Sequence, residues 1–352
     1  MAKEGVIKRI LVRVPNWVGD AVMTLPALSA LHELYSDAEI SILAKKAVIP
    51  VYESNPALSD IIEYKADYRG LKGRFKLSKE LRAGDFQLAV LFQNAFEAAF
   101  ISFISGIPRR MGYGRDLRSG LLTEAVPFTE EVKRLHHIEY YLNIVKALGG
   151  PDVIERPAPE LCVGSDEIEK AKTFLSKKGL ADKPLIGAAP GASYGPAKMW
   201  PAERFAETLV KLSEKLDVVP LIFGGPGDTE VAEKVYNGIS GKIPHALNLA
   251  GKTTLTECIA LLTRLGLFIT NDSGAMHMAS ALGLPTVAVF GSTDPGLTGP
   301  RGARTRVIIK DTPCSPCFER VCRYNHMDCM TAISVEEVVA VAMDLKKEDK
   351  EL

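Results

Sequence analysis

The sequence predicts an α/β protein made of two doubly wound parallel sheets. Three observations carry that expectation. Short apolar runs of strand length alternate with helix-period segments along the chain, and turns bearing glycine or hydroxyl residues lie between them. The length, 352 residues, exceeds what one core usually serves. Glycine- and proline-rich text near the middle, Gly149-Gly150-Pro151 and then Pro157-Ala158-Pro159, marks a boundary. The expected domains are residues 1–165 and 166–352, set facing one another, with the terminal helix free to pack back on the first.

In order, Arg9 to Val14 is a strand, and Pro15-Asn16-Trp17-Val18-Gly19-Asp20 a loop opening a βαβ unit. The helix after it carries Leu25, Leu28 and Leu31, and Pro26 forces a kink or a restart capped by Thr24. Residues 39–44, 61–64 and 86–93 read as strands, and 136–148 as a helix stopped by the glycine pair. A helix covers 165–178. The pattern then restarts with strand 184–189, a loop to Trp200, and a helix with Pro201 in its first turn. Strands follow at 218–223, 245–250, 265–269 and 286–290, with helices between them and a last helix at 334–347.

Charge excludes one large class. The chain has 43 basic and 43 acidic residues and is 47% apolar, unlike a nucleic-acid binder driven by bulk charge. No apolar stretch reaches membrane-spanning length, and the first residues lack a secretory core, so a cytoplasmic location is expected. Six cysteines are then reduced unless a metal holds them.

The chemistry gathers at strand-to-helix turns. Asn271-Asp272-Ser273-Gly274 sits where a strand ends and a helix begins, a place that offers free backbone amides and a positive dipole end to a phosphate. Asp272 or Ser273 also fits a plain helix cap. Gly191-Ala192-Ser193, Gly224-Gly225-Pro226-Gly227 and Gly291-Ser292-Thr293 emerge on the same edge of a parallel sheet. Lys198 is a cation suited to a diphosphate leaving group. Asp228 or Glu230 fits a ribose contact. Asp20 is placed to take a proton from an acceptor hydroxyl. Neither G-x-G-x-x-G after the first strand nor a P-loop is present, so the nucleotide is neither NAD at the first turn nor a P-loop triphosphate.

Two basic runs, Lys65 to Arg82 and Arg109-Arg110-Arg115-Arg118, are either solvated surface or a cationic apron for a phosphorylated partner or membrane. Cys314, Cys317, Cys322 and Cys329 form a dense cluster whose irregular spacing favours a reduced structural knot over a metal site. His277 reads as a packed core histidine.

Residues 15–28, 190–201, 270–277 and 290–295 resemble the ADP-heptose:lipopolysaccharide heptosyltransferases, and the likeness covers nearly the whole chain. That resemblance implies the GT-B fold with an interdomain cleft. It implies inverting transfer of L-glycero-D-manno-heptose from ADP-heptose to the first heptose of a Kdo- and lipid A-bearing inner core. Asp20 matches the family's general base, Lys198 the diphosphate lysine, Ser193 a hydroxyl beside it, and Asp272, Ser273 and Gly274 the phosphate turn. No cofactor or metal is implied, because a lysine and a helix dipole neutralise the departing ADP. Arg109, Arg110 and Arg115 are expected to hold the acidic acceptor, which places the protein peripherally at the inner face of the inner membrane. The competing readings are a sugar-nucleotide enzyme with another donor, a UDP-sugar epimerase, and a non-catalytic sugar-nucleotide binder.

Overall fold

The computed structural model describes residues 6–150 and 157–348. The chain divides into two units, residues 1–162 and 163–352, each built on its own six-stranded parallel sheet.

The first unit runs β1 (Arg9–Arg13), α1 (Val18–Met23), α2 (Leu25–Leu34), β2 (Glu39–Ala44), β3 (Asp60–Glu63), α3 (Gly70–Ala83), β4 (Leu88–Leu91), α4 (Phe96–Ile104), β5 (Arg109–Tyr113), β6 (Glu124–Val126), α5 (Glu130–Arg134) and α6 (His137–Ala147). Its strand order is β3-β2-β1-β4-β5-β6. The order reverses between β1 and β4, so the loop after β1 opens at the point where such sheets bind ligands. β1 and β4 are buried almost throughout, as central parallel strands must be.

Pro26 has the expected effect. The helix breaks at Thr24 and restarts as α2. Thr24 does not cap the restart with its side chain; its hydroxyl donates back to Ala21 O at 2.7 Å. Two strands escape the sequence pattern, β5 with its Arg-Arg start and the three-residue edge strand β6. The run from Lys65 is largely the helix α3, whose buried residues are Gly73, Leu77, Ser78 and Leu81.

The second unit runs α7 (Ser165–Lys177), β7 (Leu185–Ala189), α8 (Ala202–Leu216), β8 (Val219–Ile222), α9 (Thr229–Ile239), β9 (Leu247–Asn248), α10 (Leu255–Leu262), β10 (Leu267–Asn271), α11 (Gly274–Ala281), β11 (Thr286–Val289), α12 (Pro295–Thr298), β12 (Thr305–Ile308), α13 (Asp328–Thr331) and α14 (Val335–Glu348). The order is β12-β11-β10-β7-β8-β9, so β7 and β10 flank the reversal. β12 is a further edge strand that the sequence reading passes over. Pro201 stands just before α8 with extended backbone rather than in its first turn, because the fully buried Trp200 beside it fixes the entry. α14 packs on α8 and β11 and puts Val335, Val338, Val339, Ala342 and Leu345 into the core of this unit. The helix has an apolar stripe, and the second sheet offers the face that buries it. Among the described residues no helix is long and apolar enough to cross a membrane.

Candidate functional site

The first cluster lies on the loop after β1. Arg13, the last residue of that strand, is 3% exposed. Its guanidinium donates to Val14 O at 3.0 Å, to Leu43 O at 2.9 Å and to Asn16 Oδ1 at 3.2 Å, and burial lowers its pKa to about 10. The buried cation thereby pins the Val14 carbonyl and the Asn16 side chain. Asp20 follows in the first turn of α1, where a carboxylate suits the helix dipole. It does not cap the helix: the N-cap is Trp17, without a side-chain bond. Its side chain is 27% exposed, so the carboxylate is held yet reachable.

Two residues of α6 hold it. The Tyr141 hydroxyl donates to Asp20 Oδ1 at 3.3 Å, and His137 Nδ1 faces the same oxygen at 3.4 Å. They sit four apart and so share one helix face. Burial and the neighbouring Asp20 push the Tyr141 phenol well above its ordinary range, which keeps it a neutral donor. His137 Nδ1 is buried and makes no hydrogen bond among the described residues. Sequence reasoning missed both residues. The available signal was a His and a Tyr at i and i+4 on a helix that follows the strands in sequence.

The second cluster is built at the carboxyl ends of β7 and β10. Asn271 uses both ends of its amide: Nδ2 donates to Pro190 O at 2.7 Å, and Oδ1 accepts from Trp200 N at 3.0 Å. This closes the loop 190–200 over the sheet. Within it, Lys198 Nζ lies 2.5 Å from Asp272 Oδ2, and Thr293 Oγ1 donates to the same oxygen at 2.6 Å. The pair is nearly buried, with side-chain exposures of 11% for Lys198 and 5% for Asp272. Asp272 is thus the lysine's counterion and anchor. Ser273 is the N-cap of α11, but its side chain makes no cap bond; its hydroxyl lies 3.3 Å from Thr270 Oγ1. The start of α11 at Gly274 is only half-buried. Its first amides carry no side-chain cap, a state suited to an anion.

Asp228 and Glu230 now separate. Asp228 Oδ2 accepts from Gly225 N at 2.8 Å, and its carboxyl fills the space over Gly191, where an added Cβ would stand 2.2 Å from Asp228 Cγ. Asp228 therefore lies against both glycine turns. Glu230 is exposed on α9 and pairs with Lys234 at 2.8 Å, which lowers its pKa as a solvated surface pair does. Ser193 is exposed on the 190–200 loop. Next to it Tyr194 stacks under two cations, with Lys198 Nζ at 4.6 Å and the Arg320 guanidinium at 5.1 Å from the ring centroid.

Arg320 comes from the cysteine-rich segment, which lies over these turns. Tyr194 donates to Phe318 O at 2.6 Å, Ala197 N to Arg320 O at 3.1 Å, and Phe318 N to Ser292 O at 2.7 Å. Gly195 has φ +155, and a Cβ there would stand 2.4 Å from Arg320 O, so the close approach requires glycine. Among the described residues no group of three or more His, Cys, Asp or Glu side chains is arranged to hold a metal. Burial and the neighbouring cysteines raise the Cys329 pKa, whereas backbone amides lower that of Cys322. His277 is buried in α11, as expected.

The predicted acceptor arginines do not form one group. Arg109 and Arg110 open β5 and therefore lie at the amino edge of a parallel sheet, opposite the ligand edge. Arg109 is committed to Glu124 at 2.7 and 3.0 Å, and Arg110 donates to Leu121 O at 2.7 Å. Both tie the start of β5 to the segment that follows it. Arg118 is fully buried and donates to Tyr113 O at 2.9 Å, with its pKa lowered by burial to about 10. Arg115 lies in the loop after β5, over the Phe128 ring at 4.3 Å and beside Asp116 at 3.1 Å.

A family model, glycosyltransferase family 9 (heptosyltransferase), matches residues 74–328. The chain belongs to glycosyltransferase family 9. It is 32% identical to lipopolysaccharide heptosyltransferase 2 of Escherichia coli K12 over 310 residues, which cover 85% of this chain and 87% of that protein. The solved structure of the E. coli ADP-heptose lipopolysaccharide heptosyltransferase II matches with a TM-score of 0.84 at 27% identity, covering 97% of this chain and 99% of that one. A family 9 structure from Veillonella parvula gives 0.84 at 26% identity, covering 97% of each chain. The two parallel sheets thus have the GT-B architecture of family 9 glycosyltransferases. The protein is an enzyme of that class, and the heptosyltransferase resemblance drawn from its motifs holds.

Proposed function

We propose that the protein transfers L-glycero-D-manno-heptose from ADP-heptose to the first heptose of a lipid A-linked inner core, with inversion. The observation that carries this reading is Asp20: a reachable carboxylate at the reversal point of its sheet, bonded by Tyr141, faced by His137 and unused as a helix cap. The acceptor hydroxyl oxygen attacks the anomeric carbon while the bond from that carbon to the diphosphate breaks. Asp20 accepts the hydroxyl proton, and ADP leaves with the bonding pair. Lys198 and the start of α11 receive the diphosphate charge, and Asp228 receives the ribose hydroxyls. Asp272 holds Lys198 in place until the diphosphate competes for it. Arg115 meets the acidic acceptor. Because that acceptor is anchored in lipid, the enzyme works peripherally at the inner face of the inner membrane.

The test joins two measurements. Calorimetry with ADP-, UDP- and GDP-sugars should show binding to the ADP-sugar alone. Asp20→Asn should lower kcat by about 10²–10⁴-fold with the affinity for ADP unchanged. Preference for a UDP-sugar, or turnover that survives the substitution, overturns the reading.

A further inference from the structure

The outer surface of α3 and α4 carries a combination that ordinary solvated helices avoid. Leu71 is 64% exposed, Phe75 53%, Phe96 47% and Phe103 48%. The two helices are bridged near both ends: Arg74 Nε meets Glu97 Oε1 at 2.8 Å, and Arg82 Nη2 donates to Ile104 O at 2.7 Å. They therefore run side by side in the same direction. Leu71 and Phe75 are four apart, Phe96 and Phe103 seven apart, so each pair forms a stripe on its own helix. Phe100, half-buried, stacks on Phe96 with ring centroids 6.2 Å apart. The cations flank this apolar strip. Lys72 and Lys79 are exposed and make no ion pair among the described residues. Arg110 lies over the Phe103 ring at 5.3 Å.

We propose that the α3–α4 surface is a membrane-docking face, with the leucine and phenylalanines entering the headgroup boundary of an anionic bilayer and the lysines meeting its phosphates. Apolar and aromatic tips ringed by lysine and arginine are the composition that interfacial binding requires. The charge decides the occupant: an excess of unpaired ammonium groups beside an apolar strip matches a negative lipid surface and would repel a second copy of itself. The inference rests on the reading that the acceptor is lipid-linked, and it names the surface that brings the enzyme to it. α3 and α4 both begin at the carboxyl edge of the first sheet, the edge that bears Asp20.

The experiment uses the intact protein with vesicles of phosphatidylcholine, alone or mixed with phosphatidylglycerol, read by co-sedimentation. Binding should require the anionic lipid and weaken with salt. Phe75→Ser with Phe103→Ser should cut the affinity about tenfold. Lys72→Glu with Lys79→Glu, which leaves the apolar strip intact, should do the same at low salt. Both variants should transfer heptose to a delipidated, soluble acceptor at the parent rate, which also shows that they are folded. Equal binding to neutral and anionic vesicles, or parental binding by both variants, overturns the proposal. So does a parent that sediments as a dimer and a Phe75→Ser, Phe103→Ser variant that is monomeric. If the parent fails on the soluble acceptor as well, the proposed function fails instead.

Discussion

Replacing Lys198 by methionine separates a structural role from a ligand role. In the folded protein the ammonium is 2.5 Å from a carboxylate that is only 5% exposed and whose other side-chain donor is Thr293. Deleting one partner of a buried pair costs about 3–5 kcal/mol. The expected loss is therefore about 3–5 kcal/mol at pH 7. Urea unfolding read by tryptophan fluorescence is well suited to the measurement. Of the two tryptophans, Trp200 is buried two residues from Lys198, whereas Trp17 is 56% exposed and changes little on unfolding. Lys198→Met with Asp272→Asn should recover most of the stability yet still bind ADP more weakly than the parent. A single variant as stable as its parent at pH 7, or a double variant no better than the single one, would refute the argument.

Other consequences are sharper in activity. Tyr141→Phe removes the hydroxyl that donates to Asp20 and should lower kcat about fivefold with KM unchanged, measured by steady-state kinetics. Gly191→Ala forces Asp228 off its bond to Gly225 and should weaken ADP binding in calorimetry, with a stability loss of about 1–3 kcal/mol. Arg115→Ala should raise the acceptor KM while Arg109→Ala leaves it alone and lowers the melting temperature, because only the first lies on the ligand edge. Glu337, bonded to Lys310 and to the start of α14 at Ser334, has its pKa lowered to about 2. Its contribution is present above the unfolded carboxyl's pKa near about 4.3 and is lost as pH falls toward 2. Glu337→Gln should cost about 0.5–1 kcal/mol in urea unfolding at pH 7, after allowance for solvent screening, and nothing near pH 2.

Most of the framework was legible because central parallel strands must be apolar on both faces, as 40–44 and 267–271 are. Edge strands escape that demand, so β6 and β12 left little trace. The strand-to-helix turns were legible for a related reason: glycine and hydroxyl residues there stand against apolar text. Roles were harder to read than places. Nothing local says that Asp272 turns toward a lysine 74 residues away, or that His137 and Tyr141 reach back to Asp20. Those contacts depend on strand order, which pattern alone does not give. The place of Arg109 and Arg110 was not legible because charge in a sequence carries no direction. Only the parallel register shows which end of the strand they occupy.

The anchoring of Trp200 sets a schedule for biosynthesis. Its backbone is fastened to Asn271, but its indole Nε1 donates to Ile333 O at 3.1 Å, and Arg204 beside it reaches Thr331 O at 2.5 Å. A ribosome that has just completed Thr293 has supplied Lys198, Asp228, Asp272 and the start of α11, yet Phe318 and Arg320, which bond Tyr194 and Ala197 of the lysine's loop, and Ile333, which takes the Trp200 indole, are still unmade. Messages cut short anywhere before codon 333 should yield chains that contain every one of those donor-side groups and grip no nucleotide.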